Sequence, residues 1–177
     1  MVKILIGVVV VTVLVIATFL ILDPKVGITN SPTVQEVAKN TFSVTVEGEV
    51  FKPGNYTLED GATLGDLIDT AGGVTSSADA RAYYETAELV NGSSYYIASL
   101  YDSNDVCNIE EVAKVNINND NADTLATVNG ITNTIANSII TYRNENGLFS
   151  TLEQLQEVYG IGPATYKKIR GYVYLHA

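Results

Sequence analysis

The feature that most limits the possible folds of this chain is a repeat between residues 114 and 175. Apolar residues and a glycine recur with an offset of 30 residues, and each copy reads as a helix, a short glycine-centred turn and a second helix. A helix pair this short cannot bury its apolar stripe alone, so the pattern predicts an all-α unit of two hairpins packed about a pseudo-twofold axis. The matching pairs are Leu125 and Leu155, Val128 and Val158, Gly130 and Gly160, Ile131 and Ile161, and Ile139 and Ile169.

The second copy, "YGIGPATYKKI" at residues 159–169, has the composition of an anion-binding turn. Gly160 and Gly162 let the backbone turn sharply and approach a ligand without a Cβ atom in the way. Pro163 suits the first helical position, and the unpaired N–H groups and dipole of a helix start attract a phosphate. The segment resembles the helix-hairpin-helix motif, which implies DNA binding that needs no base contacts. The predicted DNA contacts in this copy are Gly160, Ile161, Gly162, Ala164, Thr165, Lys167, Lys168 and Arg170.

The first copy, "NGITNTIANSII" at residues 129–140, departs from this pattern. Thr132 replaces the second glycine, Asn133 replaces the proline, and no lysine follows within the helix. Because a β-branched residue resists positive φ and crowds an incoming phosphate, we expect this hairpin to fold but to bind phosphate more weakly. The resemblance to tandem helix-hairpin-helix domains implies that the two copies together grip both strands of a duplex across the minor groove. The predicted contacts in this copy are Gly130, Thr132, Asn133, Thr134 and Arg143.

The net charge of −10 is carried by the part of the chain that precedes the repeat. Residues 114–177 contain five lysine and arginine residues and five aspartate and glutamate residues, so this segment is neutral. The anion-binding turn is therefore not set in an acidic segment. The three cations that follow "GIG" favour a polyanion as the ligand, although so few charges predict a modest affinity.

An apolar run at Ile4–Leu22 contains 19 residues without a charge. As a helix it spans about 28 Å, close to the roughly 30 Å of a hydrocarbon core. The run is longer than the apolar region of a signal peptide and lacks a small-residue cleavage pattern, which favours an uncleaved anchor over that alternative. The sequence predicts a transmembrane helix within residues 1–22 and a polar linker at 23–41. Lys3 predicts a cytoplasmic N-terminus, with the rest of the chain on the extracytoplasmic face of the cell membrane.

Residues 42–102 predict a small α+β domain with a mixed sheet over one helix. The segment "FSVTVEGEV" alternates as a strand does, and a Pro-Gly turn leads into a second strand to complete a hairpin. The helix over "TLGDLIDTAGG" is expected to begin after the N-cap Thr63 and to end at Gly72 and Gly73. A further strand follows in "NGSSYYIASLY".

The same region carries a family resemblance. "VEGEVFKPG" at Val46–Gly54 and "AGG" at Ala71–Gly73 resemble the soluble-ligand-binding β-grasp domain, abbreviated SLBB. The glycine of the Pro-Gly turn and the glycine pair are both expected to adopt positive φ. Residues 103–113 then read as a second linker, ahead of the hairpin domain at 114–177. Cys107 is the single cysteine, which excludes an internal disulfide framework.

The order of anchor, linker, β-grasp domain and tandem hairpins resembles the ComEA-type competence DNA receptors of bacteria with a single membrane. "VNIN" at Val115–Asn118 and "YRNENGLF" at Tyr142–Phe149 also resemble that family. The resemblance implies a protein that holds double-stranded DNA outside the cell and passes it to DNA-uptake channel proteins during natural transformation. It implies no catalysis, metal or cofactor. We also expect self-association through an exposed sheet edge of the β-grasp domain, because clustered receptors gain avidity.

Two other classes of protein use similar parts. In an extracytoplasmic scaffold, the hairpins would contact protein and the β-grasp domain a glycan or a partner subunit. The lysines beside "GIG" argue against this alternative, because a protein-binding repeat does not need them. A DNA-repair glycosylase or nuclease would need a catalytic carboxylate or lysine downstream of the motif and would have no use for export, so the sequence disfavours an enzyme.

Overall fold

The computed structural model describes residues 40–101 and 111–177. The predicted anchor, nearly all of the linker at 23–41, most of the linker at 103–113 and Cys107 lie outside these residues. Across the described ranges, no helix has the length and apolar character needed to cross a membrane. The fold is α+β, with a small sheet followed by a helical region, and this confirms the predicted class for the described part of the chain.

The first part of the fold has the predicted order of strand, strand, helix and strand. Strands β1 (Thr41–Gly48) and β2 (Gly54–Glu59) form an antiparallel hairpin, and β3 (Ser94–Ile97) pairs with β1 in parallel, so the sheet is mixed with the order β2-β1-β3. Helix α1 (Leu64–Thr70) buries its apolar face, including Leu64, Leu67 and Ile68. The predicted N-cap is confirmed: Thr63 and Asp66 form a reciprocal capping box.

The glycines of this part behave partly as predicted. Gly72 and Gly73 both have positive φ, at 88° and 92°, and end helix α1. Gly54 does not have positive φ and instead pairs with Val46 as the first residue of β2. The left-handed residue of the hairpin is Gly48, with φ at 86°, where a Cβ atom would meet the carbonyl oxygen of Ile97. The expectation for the Pro-Gly turn was therefore wrong, because the sharp change of direction occurs where β1 leaves the sheet.

The second part contains the two hairpins. The first hairpin consists of α2 (Ala122–Leu125) and α3 (Asn133–Asn146), and the second consists of a 3₁₀ helix (Leu152–Glu157) and α4 (Pro163–Ile169). The opening helix of each copy is thus only four to six residues long. Short strands β4 (Val115–Asn116) and β5 (Val173–Tyr174) form a parallel ladder that joins the two ends of the repeat. This ladder is an addition to the predicted all-α unit.

The repeat is a packing pattern. One continuous core contains the apolar residues that recur at an offset of 30, and Phe149 from the connection between the hairpins lies in the same core. Neither hairpin has enough apolar residues to form this core alone, which is why the two copies fold as one unit. The buried repeat residues are Leu125, Leu155, Val128, Val158, Ile131, Ile161, Ile139 and Ile169.

The β-grasp part and the hairpin part pack together within one compact unit that covers residues 39–177. At one contact, the half-buried carboxylate of Glu153 accepts hydrogen bonds from the Tyr96 N–H and the Tyr166 hydroxyl, both at 2.8 Å. Burial raises the pKa of Glu153, and these hydrogen bonds offset that effect only in part. Arg170 crosses the same contact, 2.9 Å from the Glu47 carboxylate and with its guanidinium 3.9 Å from the centre of the Tyr96 ring.

A second contact ties the ends of the hairpin part to the β-grasp part. Lys114 Nζ lies 2.7 Å from the Asp79 carboxylate, and both side chains are only 1% exposed. The Leu175 N–H donates to the Arg81 carbonyl at 2.9 Å. The ring of His176 stacks on Tyr84 with the ring centroids 4.3 Å apart. The hairpin part is therefore held at both of its ends, which fixes the direction in which its turns face.

Candidate nucleic-acid interface

The two hairpin turns pack reciprocally. A Cβ atom built on Gly130 would lie 2.9 Å from Cγ2 of Ile169 and 3.2 Å from Cδ of Lys168, so the first turn presses against helix α4. A Cβ atom built on Gly160 would lie 3.2 Å from Cγ1 of Ile135, so the second turn presses against helix α3. Each turn thus contacts the second helix of the other hairpin. The first turn meets α4 near its end, at Lys168 and Ile169, and the second turn lies beside the start of α3, at Ile135.

In both hairpins, the residue with left-handed backbone is the first glycine of the turn. Gly130 has φ at 116° and Gly160 has φ at 93°. The two residues that follow the turn, Thr132 and Gly162, have φ at −80° and −89° and serve as helix N-caps. Threonine adopts this conformation without strain. The expectation that Thr132 resists the backbone geometry is therefore wrong, and both turns have the same course.

Thr132 instead changes which main-chain donors are free. Its hydroxyl accepts a hydrogen bond from the Ile135 N–H at 3.3 Å, which satisfies one of the N–H groups at the start of α3. Gly162 has no side chain that could do this, and the N–H groups of Ala164 and Thr165 have no acceptor within residues 40–101 and 111–177. Pro163 has no N–H group, whereas Asn133 does. Among the described residues each hairpin start therefore keeps three unpaired amides: those of Thr132, Asn133 and Thr134 in the first, and those of Gly162, Ala164 and Thr165 in the second.

Exposure divides the predicted contacts into two groups. Residues 132–134 and 162–164 are exposed, as are Lys167 and Lys168. Ile131 and Ile161 have buried side chains, so a ligand can reach them only through their main chain. The two exposed helix starts and the two lysines thus form the surface, here called the hairpin face, that can contact a large ligand.

The two predicted arginine contacts have intramolecular partners. Arg143 donates to the carbonyl of Ile117 at 2.8 Å and to that of Asp120 at 2.9 Å, and so it fastens α3 to the segment after β4. Arg170 has a side chain only 18% exposed and is paired with Glu47. Arg170 is thus paired with a carboxylate within the fold, whereas the guanidinium of Arg143 is held by two main-chain carbonyls that leave its charge in place.

Two further features of this surface were not expected from the sequence. Tyr159, beside Gly160 in the second turn, is 84% exposed, and no pattern in the sequence marked it. Glu157 accepts a hydrogen bond from the Tyr142 hydroxyl at 2.7 Å. Burial, together with this carboxylate, raises the pKa of Tyr142 to about 12, so the phenol remains a neutral donor at physiological pH. Glu157 places a negative charge near the second turn and reduces the positive potential there.

Comparisons with known proteins agree with this arrangement. A family model described as "Helix-hairpin-helix motif" matches residues 110–174, and one described as "SLBB domain" matches residues 43–98. The chain is 31% identical over 157 residues to ComE operon protein 1 of Bacillus subtilis, covering 80% of this chain and 76% of that protein. It is also 34% identical over 59 residues to two uncharacterized proteins of Neisseria meningitidis serogroups A and B, where the match covers 33% of this chain and 8% of each protein.

Proposed function

Since the chain belongs to the family of ComEA-type competence DNA receptors, we propose that it holds double-stranded DNA outside the cell during natural transformation. Binding is sequence-independent, because main-chain amides and lysines contact phosphates and no side chain is needed at a base edge. The two hairpins contact the two strands across the minor groove. The role is binding without catalysis.

The observation that carries this proposal is the hairpin face itself. Reciprocal packing places two exposed helix starts together, at residues 132–134 and 162–164. Lys167 and Lys168 add positive charge to this surface, while Arg143 and Arg170 are used within the fold. The acidic residues of the β-grasp part disfavour DNA there, so DNA is confined to the hairpins.

A salt titration of duplex binding tests the proposal. The full chain in detergent should bind two duplexes of unrelated sequence with equal affinity. If two lysines neutralise two phosphates, log K should fall against log salt with a slope of about −2. In the variant with Lys167→Ala and Lys168→Ala, affinity should fall for both duplexes alike and the slope should approach zero. Fluorescence anisotropy between 50 and 200 mM salt, a range in which such slopes are measurable, provides the readout.

The control for this titration is Lys52→Ala, which removes an exposed lysine from the β-grasp part. Its affinity and salt slope should equal those of the unsubstituted chain. A strong preference for one duplex sequence, or an unchanged slope in the double lysine variant, would show that phosphate contacts are not the basis of binding. If the unsubstituted chain ignores both duplexes at low salt, the scaffold role becomes the better account.

Further parts of the proposal concern the membrane and assembly. Residues 1–22 anchor the chain in the cell membrane, with the N-terminus inside, and the receptor passes DNA to channel proteins of the uptake machinery. Copies associate through the edge of β2. The sheet order leaves β2 and β3 at the edges, and the hairpin part covers β3, where the Tyr96 N–H donates to Glu153. Within residues 40–101 and 111–177, no strand pairs with the outer side of β2, and clustering along it raises the avidity of receptors with few charges.

One labelling experiment in intact cells addresses both parts. A bifunctional amine reagent that does not cross membranes should modify the chain, which should sediment with the membranes. Dimers and larger products should form, and Asn55→Pro in β2 should reduce them by blocking strand pairing at the edge. A chain that is protected from the reagent is not extracytoplasmic, and a chain that remains monomeric at every reagent concentration does not self-associate.

A further inference from the structure

Lys168 belongs to the second hairpin by sequence, but its side chain lies on the first. Its Nζ atom lies 2.9 Å from Oδ1 of Asn129, the residue before Gly130. Its alkyl stem crosses the turn itself, since a Cβ atom on Gly130 would lie 3.2 Å from Cδ and 3.7 Å from Cε. Because Gly130 has no side chain, the lysine can lie this close to the turn.

The first hairpin contains no lysine of its own. In its helix α3, the residues at the positions of Lys167 and Lys168 are Asn137 and Ser138, 30 residues earlier. The offset of 30 relates Ser138 to Lys168 and Tyr159 to Asn129. At the second turn, Ser138 and Tyr159 line one groove. The pseudo-symmetric contact thus carries a positive charge only at the first turn.

We propose that Lys168 is a DNA contact of the first hairpin, supplied across the pseudo-twofold by the second. Asn129 is uncharged, so it orients the ammonium without neutralising it. In the part of the chain that the structure describes, the other two N–H donors of the lysine have no acceptor and are free for a phosphate. Lys167 stays with the second hairpin, where it lines a cleft together with Pro163 and Tyr166. Each hairpin therefore uses one lysine, and the lysine that α3 lacks is provided by α4. This inference rests on the proposed function.

A double-mutant cycle on the full chain in detergent separates the two hairpins. Thr134→Pro and Ala164→Pro occupy equivalent exposed positions 30 residues apart, and each removes one unpaired main-chain N–H from one hairpin without changing the charge. Lys168→Gln alone should weaken duplex binding about three- to fivefold, as for an exposed ion pair. In the Thr134→Pro background, Lys168→Gln should weaken duplex binding by less than about twofold further, since the Lys168 ammonium and the Thr134 N–H share one phosphate site. Combined with Ala164→Pro, it should keep its full effect.

Lys167→Gln is the matched control. Its effect on duplex binding should shrink in the Ala164→Pro background and stay at full size in the Thr134→Pro background. Lys168→Arg should keep most of the affinity, because it retains the charge. Thermal unfolding of each variant verifies the fold. If a proline variant does not fold, Thr134→Glu and Ala164→Glu replace the pair, since an acidic residue is favoured in the first turn of a helix and repels phosphate.

The outcomes separate this inference from the proposed function. If the unsubstituted chain binds duplex but Lys168→Gln has no effect, or couples to position 164 and not to 134, the inference is overturned while the function stands. If the unsubstituted chain does not bind duplex, the proposed function fails and the inference fails with it. Coupling to position 134 alone establishes the assignment.

Discussion

Replacing Asp79 by alanine is expected to lower the free energy of unfolding by about 3–5 kcal/mol, which is a large part of the stability of a domain of this size. The Asp79 carboxylate accepts hydrogen bonds from Lys114 at 2.7 Å and from Arg81 at 2.9 and 3.1 Å. Without it, the Ser99 carbonyl, 2.7 Å away, is the one hydrogen-bond partner that the buried Lys114 ammonium keeps among the described residues. A buried charge that loses its counter-ion retains its desolvation penalty, and this is the reason for the large effect.

The effect should depend on pH. Burial alone would raise the pKa of Asp79, but the hydrogen bonds from Arg81 and Lys114 outweigh it, so the pKa lies below its ordinary value. A carboxyl group whose pKa is lower in the folded state contributes stability above its unfolded pKa of about 3.9 and loses that contribution as the pH falls. The difference between the unsubstituted chain and Asp79→Ala should therefore be largest near neutral pH and shrink below about pH 4.

Urea unfolding of residues 39–177 provides the measurement, with tyrosine fluorescence as the signal because the chain has no tryptophan. Asp69→Ala is the control, since Asp69 is exposed, and it should change the stability by no more than about 0.5 kcal/mol. An equally small change for Asp79→Ala would mean that the ion pair contributes little and that the two parts are held together mainly by their apolar contacts.

The local features of this fold were predictable because they arise from neighbours in the sequence. Thr63 and Asp66, which form the capping box, are three positions apart, and the glycine pair that ends α1 follows the last turn of that helix. The hairpin repeat was predictable for a related reason. Its period of 30 residues repeats one local structure, and the reciprocal contacts of Gly130 and Gly160 follow once two copies share a core.

Contacts between the two parts could not be predicted, because they join residues that are far apart in the sequence. Arg170 pairs with Glu47 across 123 positions, and the same arginine would have been free in an isolated hairpin domain. The sequence alone therefore predicts Arg170 as a DNA contact, and it predicts Arg143 likewise, because the carbonyl partners of Arg143 carry no sequence signature. His176 has no neighbour at ligand spacing, yet it stacks on Tyr84 in the other part of the fold.

The position of Lys168 shows the same limit at shorter range. Its place in the sequence assigns it to the second turn, since it follows "GIG" within two helical turns. Reciprocal packing moves its ammonium to Asn129 in the first turn. A linear motif identifies which residue types are present. It does not identify which hairpin each side chain contacts, because side chains of one hairpin pack on the turn of the other.

Gly162→Val is expected to weaken duplex binding by about 100-fold or more while the fold is retained. Gly162 has φ at −89° and ψ at 177°, an extended conformation that valine adopts readily, and a Cβ atom there would have no neighbour within 4 Å. The added side chain would instead occupy the approach to the unpaired amides of Ala164 and Thr165. The loss of two hydrogen bonds to a charged phosphate, at about 1.5–3 kcal/mol each, accounts for the expected change in affinity.

The matched control is Gly171→Val, because a Cβ atom at Gly171 also has no neighbour within 4 Å and this residue lies beyond the end of α4. Both variants should unfold at the temperature of the unsubstituted chain, and only Gly162→Val should lose binding. Equal affinity in the two variants would place the phosphate elsewhere on the hairpin face, with the lysines rather than the main chain as its principal contacts. In that case duplex affinity should fall to the background level when Lys167 and Lys168 are both replaced, because the attraction between these two lysines and the phosphates would be the source of binding.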